Sequence, residues 1–318
     1  MGTTASKSMR NVFGETLTEL TQQDARTVAL DGDLGNSTRL AFVEKENPSA
    51  FLQMGIAEQN MVGVAAGLAS CGQIPWVCSF GAFISRRAYD QIVVSVDQPS
   101  LNVKLVGSYS GLLTSNTGKT HHSFEDIAMM TLLPNMVVLS PGDALEARQA
   151  MEAMQRYDGP VYLRLSRDET LDILPGSDRK FAIGKSYQLA SGQNVACLST
   201  GAMTPRVYEA VQNLQEEGVH VTHLHFPTIK PLDEQAIVAA ARQHDHLITI
   251  EEHFVAHGFG GMVSRVTSRD EPVRMTRIGI EDAYSQCGKD PELLDEHGLS
   301  SDALTERLRT IYEQVSSS

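Results

Sequence analysis

Cationic residues are under-represented in this chain: 26 Lys and Arg stand against 39 Asp and Glu, a formal net charge of -13 over 318 residues. A surface of that sign repels a polyphosphate backbone, so nucleic acid is not an expected partner. Cysteine is sparse as well. Cys71, Cys78, Cys197 and Cys287 are scattered, form no CxxC pair and fall mostly in apolar runs. They are expected to be reduced core residues of a cytoplasmic protein, not a disulfide or metal framework. No segment holds the roughly 18 uncharged apolar residues of a membrane span. The opening MGTTASKSMR has no secretory apolar core, which predicts a soluble, unexported chain. Met1-Gly2 followed by Ser6 fits the myristoylation pattern superficially and is read as chance. Internal repeats and low-complexity runs are missing too, apart from the Ser316 to Ser318 tail.

What the chain does contain is an alternation. Short apolar runs at 27–30, 76–78, 103–106, 136–139 and 161–165 are separated by amphipathic segments. That pattern predicts a parallel sheet with helices on both faces, an α/β doubly wound unit. Helices are expected over 9–21, with Val12, Thr16, Leu17 and Leu20 on one face, and over 143–156, with Asp143 as N-cap. The length suits two domains. Residues 168–185, with Leu174-Pro175-Gly176-Ser177-Asp178, carry turn chemistry and charge and read as a linker. The expected domains are therefore 1–175 and 186–318. The second is a smaller α/β unit with strands at 195–199, 221–224 and 247–250 and helices at 205–217, 233–243 and beyond Gly258.

The stretch from Gly55 to Ala69, GIAEQNMVGVAAGLA, places Glu58 at the start of a helix made otherwise of small and apolar residues. A buried carboxylate there is costly unless it has a partner or a task. Its plainest reading is a glutamate that complements the helix dipole. The stretch nevertheless resembles the thiamine-diphosphate glutamate motif shared by transketolases, deoxyxylulose-phosphate synthases and the β subunits of 2-oxo acid dehydrogenases. The resemblance implies that Glu58 hydrogen-bonds N1′ of the aminopyrimidine and so activates the thiazolium carbon of thiamine diphosphate.

The likeness continues over nearly the whole chain. Asp31-Gly32-Asp33-Leu34-Gly35-Asn36-Ser37-Thr38 resembles a transketolase strand-end segment, with Asp33 implied at the cofactor and Ser37 at the substrate. Ser79-Phe80-Gly81-Ala82-Phe83 resembles the aromatic pair that holds the pyrimidine, although Phe80 and Phe83 alone would read as core. Gly118-Lys119-Thr120-His121-His122 resembles the segment whose histidine, here His121, contacts the reacting carbons. Without the resemblance, two adjacent histidines could equally be a solvated pair. Arg10, Ser37 and Arg167 match positions that grip a sugar phosphate, and arginine forks suit such oxyanions. The run LITIEEHFVAHGFGGMV at 247–263 resembles the closing motif of the C-terminal transketolase domain and names no catalyst.

Several positions depart from the family pattern. Tyr109 stands where a substrate-binding histidine is usual, and Thr117 where an aspartate reads a substrate hydroxyl; Ser115 and Asn116 are atypical. These departures touch specificity, because neutral Thr117 cannot replace a charged hydrogen bond. Arg86-Arg87 replaces a usual aromatic and offers an added anion contact. No Gly-Asp-Gly segment for Mg²⁺ and the diphosphate occurs; Asp31-Gly32-Asp33 belongs to a different motif. The resemblance thus implies that this chain holds no metal itself. Mg²⁺ would be bound mainly by a separate N-terminal transketolase subunit, in an α2β2 assembly with shared sites. The expected activity is transfer of a two-carbon ketol unit between a ketose and an aldehyde bearing a phosphate or sulfonate. The alternatives are a decarboxylating enzyme of the synthase or dehydrogenase type, and a non-catalytic partner subunit.

Overall fold

The computed structural model describes residues 7–114, 116–167, 169–170 and 180–317. Ser115, the segment Leu174 to Asp178 and the Met1, Gly2 and Ser6 positions lie outside the described residues, and so does the expected boundary at 175.

The first sheet has seven strands in the order Thr228–Lys230, Val137–Leu139, Val161–Arg164, Lys104–Ser108, Ile74–Phe80, Thr27–Asp31 and Phe51–Gln53. All neighbours run parallel except Thr228–Lys230, which pairs antiparallel at the edge. A parallel sheet is covered on both faces, and Ile74–Phe80 and Lys104–Ser108 are buried along their whole length. On one face Phe13, Leu17 and Leu20 of the helix Met9–Gln23 pack with Ala147, Met151 and Met154 of the helix Ala144–Arg156. On the other, Met61, Val62 and Ala65 of the helix Glu58–Ser70 pack against Leu30, Val77 and Leu105. Asp143 caps its helix as the sequence predicts, accepting from the Glu146 amide at 2.8 Å, a bond worth about 1 kcal/mol.

The second sheet orders Arg274–Ile280, His246–Phe254, Val195–Ser199, Thr222–His225 and Tyr187–Ala190, parallel but for the last pairing. Helices Met203–Glu216, Glu234–Gln243 and Phe259–Asp270 cover it. A buried polar seam joins the two units. Glu146 and His225 Nε2 lie 2.7 Å apart, His225 Nδ1 and Thr204 Oγ1 2.7 Å, Thr204 and Ser199 3.0 Å, and Ser199 and His223 Nε2 2.7 Å.

Two features differ from expectation. Strand Thr228–Lys230 follows the second unit's strand Thr222–His225 in the chain yet completes the first sheet. Flanked by Pro227 and Pro231, it carries turn chemistry that hides a three-residue strand. Second, Cys78 and Cys197 are buried but Cys71 and Cys287 are exposed, so only half of the cysteines belong to the core; all four are free thiols. Among the described residues no helix is long and apolar enough to cross a membrane.

Candidate active site

The site gathers at the carboxyl ends of the central parallel strands, where the loops of an open α/β sheet converge. Ile74–Phe80 ends in extended backbone at Phe80 and passes directly into the helix Gly81–Arg87. The helix Glu58–Ser70 begins beside it, and its first residue, Glu58, is 1% exposed. Ser79 Oγ donates to Glu58 Oε1 at 3.1 Å, and Arg87 Nη1 donates to Oε2 at 2.6 Å. The Arg87 guanidinium also lies 4.6 Å from the centre of the Phe83 ring. The anion that Arg87 contacts is thus Glu58 of this same chain. Arg86 points elsewhere, donating to the carbonyls of Thr120 and His122 at 3.3 and 3.2 Å and pairing with Glu125 at 3.0 Å.

Phe80 is the centre of an aromatic shelf. Its ring stacks with Tyr109 at 4.4 Å and with Phe83 at 5.8 Å, and His121 meets the edge of Phe83 at 5.0 Å. Of the adjacent histidines only His121 faces this shelf; His122 turns inward and stacks on Phe124. Partial burial and the nearby Arg86 charge hold the His121 imidazole below its ordinary range. Burial, with His297 and His121 close by, takes His122 down to about 4.

Tyr109 adopts φ 54°, a left-handed conformation unusual for an aromatic residue and costing on the order of 1–3 kcal/mol. It is fixed by a 2.7 Å bond from Arg10 Nη1 to its hydroxyl. The guanidinium carbons of Arg10 and Arg167 lie 5.9 and 5.8 Å from the ring centre. Arg10 also approaches the Ser37 carbonyl at 3.5 Å, and Arg167 pairs with Asp290 at 3.5 Å. Four segments distant in sequence therefore bring Arg10, Ser37, Tyr109 and Arg167 to one place.

Two predicted residues stand apart from these contacts. Asp33, at φ 64°, is exposed, and its amide donates to Gln53 Oε1 at 3.1 Å. Asp31 takes the buried structural role, accepting from the Leu34 and Gly35 amides at 3.1 Å each and from Gln53 at 2.9 Å. Thr117 turns its hydroxyl onto Thr114, whose hydroxyl is 2.7 Å away. Among the described residues no group of three or more His, Cys, Asp or Glu is placed to hold a metal ion. A cavity of about 990 Å³ bounded by Lys230, Pro231 and Arg265 contains none of the predicted site residues.

The fold, a doubly wound unit followed by a smaller α/β unit, has a direct counterpart. The profile of the transketolase pyrimidine binding domain matches residues 5–171, and that of the transketolase C-terminal domain matches residues 184–304. The chain belongs to the transketolase family. It is 38% identical over 304 residues to a protein of Methanocaldococcus jannaschii provisionally named a transketolase C-terminal section, covering 95% of each chain. It is 35% identical over 306 residues to the 6-deoxy-6-sulfo-D-fructose transketolase subunit of Clostridium sp. strain MSTE9, covering 96% of this chain and 95% of that one. A solved structure described as a split gene transketolase, inactive beta4 tetramer, superimposes with a TM-score of 0.86 at 34% identity, covering 96% and 98%.

Proposed function

We propose that this chain is the pyrimidine-binding subunit of a split, thiamine-diphosphate-dependent transketolase that moves a two-carbon ketol unit from a ketose to an aldehyde. The observation that carries this reading is the buried Glu58 carboxyl, oriented by Ser79 beside the shelf of Phe80, Phe83 and Tyr109. The residues present fit the aminopyrimidine end of the cofactor: a group of stacked aromatic rings, of which Phe83 is part-exposed, for the ring and a buried carboxyl oriented by Ser79 for its nitrogen. When bound, thiamine diphosphate supplies a nucleophilic carbon and an electron sink.

This chain's residues then divide the remaining work. Glu58 shares a proton with the ring nitrogen N1′, and Ser79 holds the carboxyl in line. Phe80 and Phe83 hold the ring, with Asp33 at the strand end nearby. His121, neutral at pH 7, exchanges hydrogen bonds with the substrate hydroxyls near the reacting carbons. Arg10, Arg167 and Ser37 take the anionic tail, and Tyr109 spaces the two guanidinium groups. Thr117, with its hydroxyl directed inward, leaves the aldehyde's hydroxyl unread and broadens the choice of acceptor. The relative named for a sulfofructose supports a sulfonate as well as a phosphate at the tail.

The diphosphate and Mg²⁺ belong to a separate N-terminal subunit in an α2β2 assembly, and the chain divides into domains at 1–175 and 186–318 in a cytoplasmic enzyme. The coverage of both chains by relatives named as transketolase sections or subunits supports that layout. Isothermal titration of thiamine diphosphate with Mg²⁺ into the chain alone, then into its mixture with the N-terminal subunit, tests it. Tight binding is expected only in the mixture, and Glu58→Ala should lower ketol transfer by about 10²-fold or more. Tight binding by the chain alone, or undiminished turnover in Glu58→Ala, would overturn the proposal.

A further inference from the structure

The run Glu251-Glu252-His253 lies in the second unit, and its three side chains go to three different places. Glu251 accepts from the amides of Phe259 and Gly260 at 2.6 and 2.7 Å, at the start of the helix Phe259–Asp270. His253 Nε2 accepts from the Ala128 amide at 3.2 Å. Glu252 reaches out of its own unit. Its Oε1 accepts from the Leu112 and Leu113 amides at 2.6 and 3.0 Å, 140 and 139 residues away in the chain.

Those amides open the loop that carries the substrate-facing groups. Tyr109 precedes it and His121 lies near its far end, and the loop closes at Gly111 and Ser123, whose backbones exchange bonds at 3.1 and 3.3 Å. Gly111 has φ +87°, and a Cβ there would stand 2.5 Å from the Glu252 carboxyl carbon. The carboxyl is thus seated against the loop backbone. Leu112, Leu113 and Phe124 pack in the core of the second unit with Ile248, Ile250 and Ile280. Arg164 adds bonds to the carbonyls of Glu252 at 2.8 Å and Ser123 at 3.3 Å, and the Phe254 amide bonds the Phe124 carbonyl at 2.9 Å. By chain order this loop belongs to the first unit. By packing it belongs to the second.

We propose that Glu252 is a positioning residue for ketol transfer: from the C-terminal unit it fixes the base of the loop that sets Tyr109 and His121 against the Phe80 shelf. This rests on the reading of Tyr109 and His121 as substrate residues. Burial pushes the Glu252 carboxyl above its ordinary range, and a neutral acceptor of the same shape is sufficient for two amide donors. Glu58, Phe80 and Phe83 lie on other elements, so the cofactor end of the site is tied to the anchor only through the ring contacts of Tyr109 with Phe80 and of His121 with Phe80 and Phe83, and is expected to suffer less than the donor end.

The test uses Glu252→Ala and Glu252→Gln, with amide hydrogen exchange on the chain alone and kinetics on the enzyme reconstituted with its N-terminal subunit, thiamine diphosphate and Mg²⁺. The donors are D-fructose 6-phosphate and 6-deoxy-6-sulfo-D-fructose. In Glu252→Ala the Leu112 and Leu113 amides should exchange at least about tenfold faster. The donor KM should rise by about tenfold while the cofactor Kd stays within about twofold. Glu252→Gln should restore both protection and KM. Unchanged protection in Glu252→Ala overturns the anchor, as does a Gln variant no better than Ala. Equal losses of donor and cofactor binding also overturn it, since they mark general loosening. If the wild-type pair turns over neither donor, the functional reading fails instead, and the exchange measurement still decides whether Glu252 anchors the loop.

Discussion

The Glu58–Arg87 pair makes the sharpest quantitative test of the site. Its Glu58 side chain is 1% exposed and its Arg87 side chain 43% exposed, with 2.6 Å between Nη1 and Oε2. Removing one partner of a fully buried pair costs about 3–5 kcal/mol, whereas exposed pairs are worth about 0–1 kcal/mol. Half of this pair is in water, and Glu58 retains the Ser79 hydroxyl and the helix start, worth about 0.3–1 kcal/mol. The expected coupling is therefore about 1–2 kcal/mol, between the two limits. A double-mutant cycle of Arg87→Met and Glu58→Gln, measured by urea denaturation of the chain at one fixed protein concentration, reads it directly. Arg87→Met alone should destabilise by the coupling energy, and adding Glu58→Gln should recover most of that loss. In the proposed function the cofactor takes the Glu58 carboxyl from Arg87, so Arg87→Met should tighten thiamine diphosphate binding in the reconstituted enzyme by about 5–30-fold. A coupling below about 0.3 kcal/mol would refute the pair, being no larger than the ordinary error of additivity. A full coupling with unchanged cofactor affinity would show instead that Arg87 keeps Glu58 while the cofactor is bound.

Two further outcomes concern the frame of the site. Asp126 and Arg164 are both buried, with Nε to Oδ2 at 3.0 Å and the Tyr162 hydroxyl on the same carboxylate at 2.9 Å. Asp126→Ala strands the Arg164 charge and should cost about 3–5 kcal/mol in chemical denaturation. In the seam between the units, burial takes the His223 imidazole from 6.5 down to about 3. The unfolded chain then binds that proton first as the solution is acidified, so the His223 contribution to stability is lost as pH falls from about 6.5 toward 3. His223→Gln should remove about 1.4 kcal/mol per pH unit from the slope of stability between these limits. An identical slope in both proteins would show that His223 does not titrate on unfolding.

The sequence exposed those parts of the site whose chemistry is local. Glu58 could be singled out because its stretch resembles the thiamine-diphosphate glutamate motif, a carboxylate among small apolar residues reading by itself as a partner of the helix dipole, and Asp143 because a cap must precede its helix. Phe80 and Phe83 were visible as a pair, and their ring separation of 5.8 Å follows from their shared helix start. Arg87 was visible only as an unusual charge. Its partner lies 29 residues earlier, on another helix, and no spacing rule reports a contact of that kind. Strand Thr228–Lys230 was hidden for a related reason, because its pairing partner Val137–Leu139 comes from the other unit.

The Glu251-Glu252-His253 run shows how much of a motif depends on the sheet that carries it. Successive side chains of a strand point to opposite faces. In His246–Phe254 that alternation sends Glu251 and His253 one way and Glu252 the other. The 3.9 Å between Glu251 and His253 is the signature of the shared face. A shift of one residue in this strand would exchange the helix cap for the loop anchor, leaving the Leu112 and Leu113 amides facing an imidazole or a different carboxylate. The pairing of Ile248 with Cys197 on one side and Thr276 on the other fixes the register as far as Ile250, and the ladder resumes after an irregularity with Phe254 opposite Ile280, so Glu251 to His253 are held between two paired points. The position of Tyr109 beside the aromatic shelf is therefore set partly by strand pairing in the opposite half of the molecule, by way of one buried carboxyl.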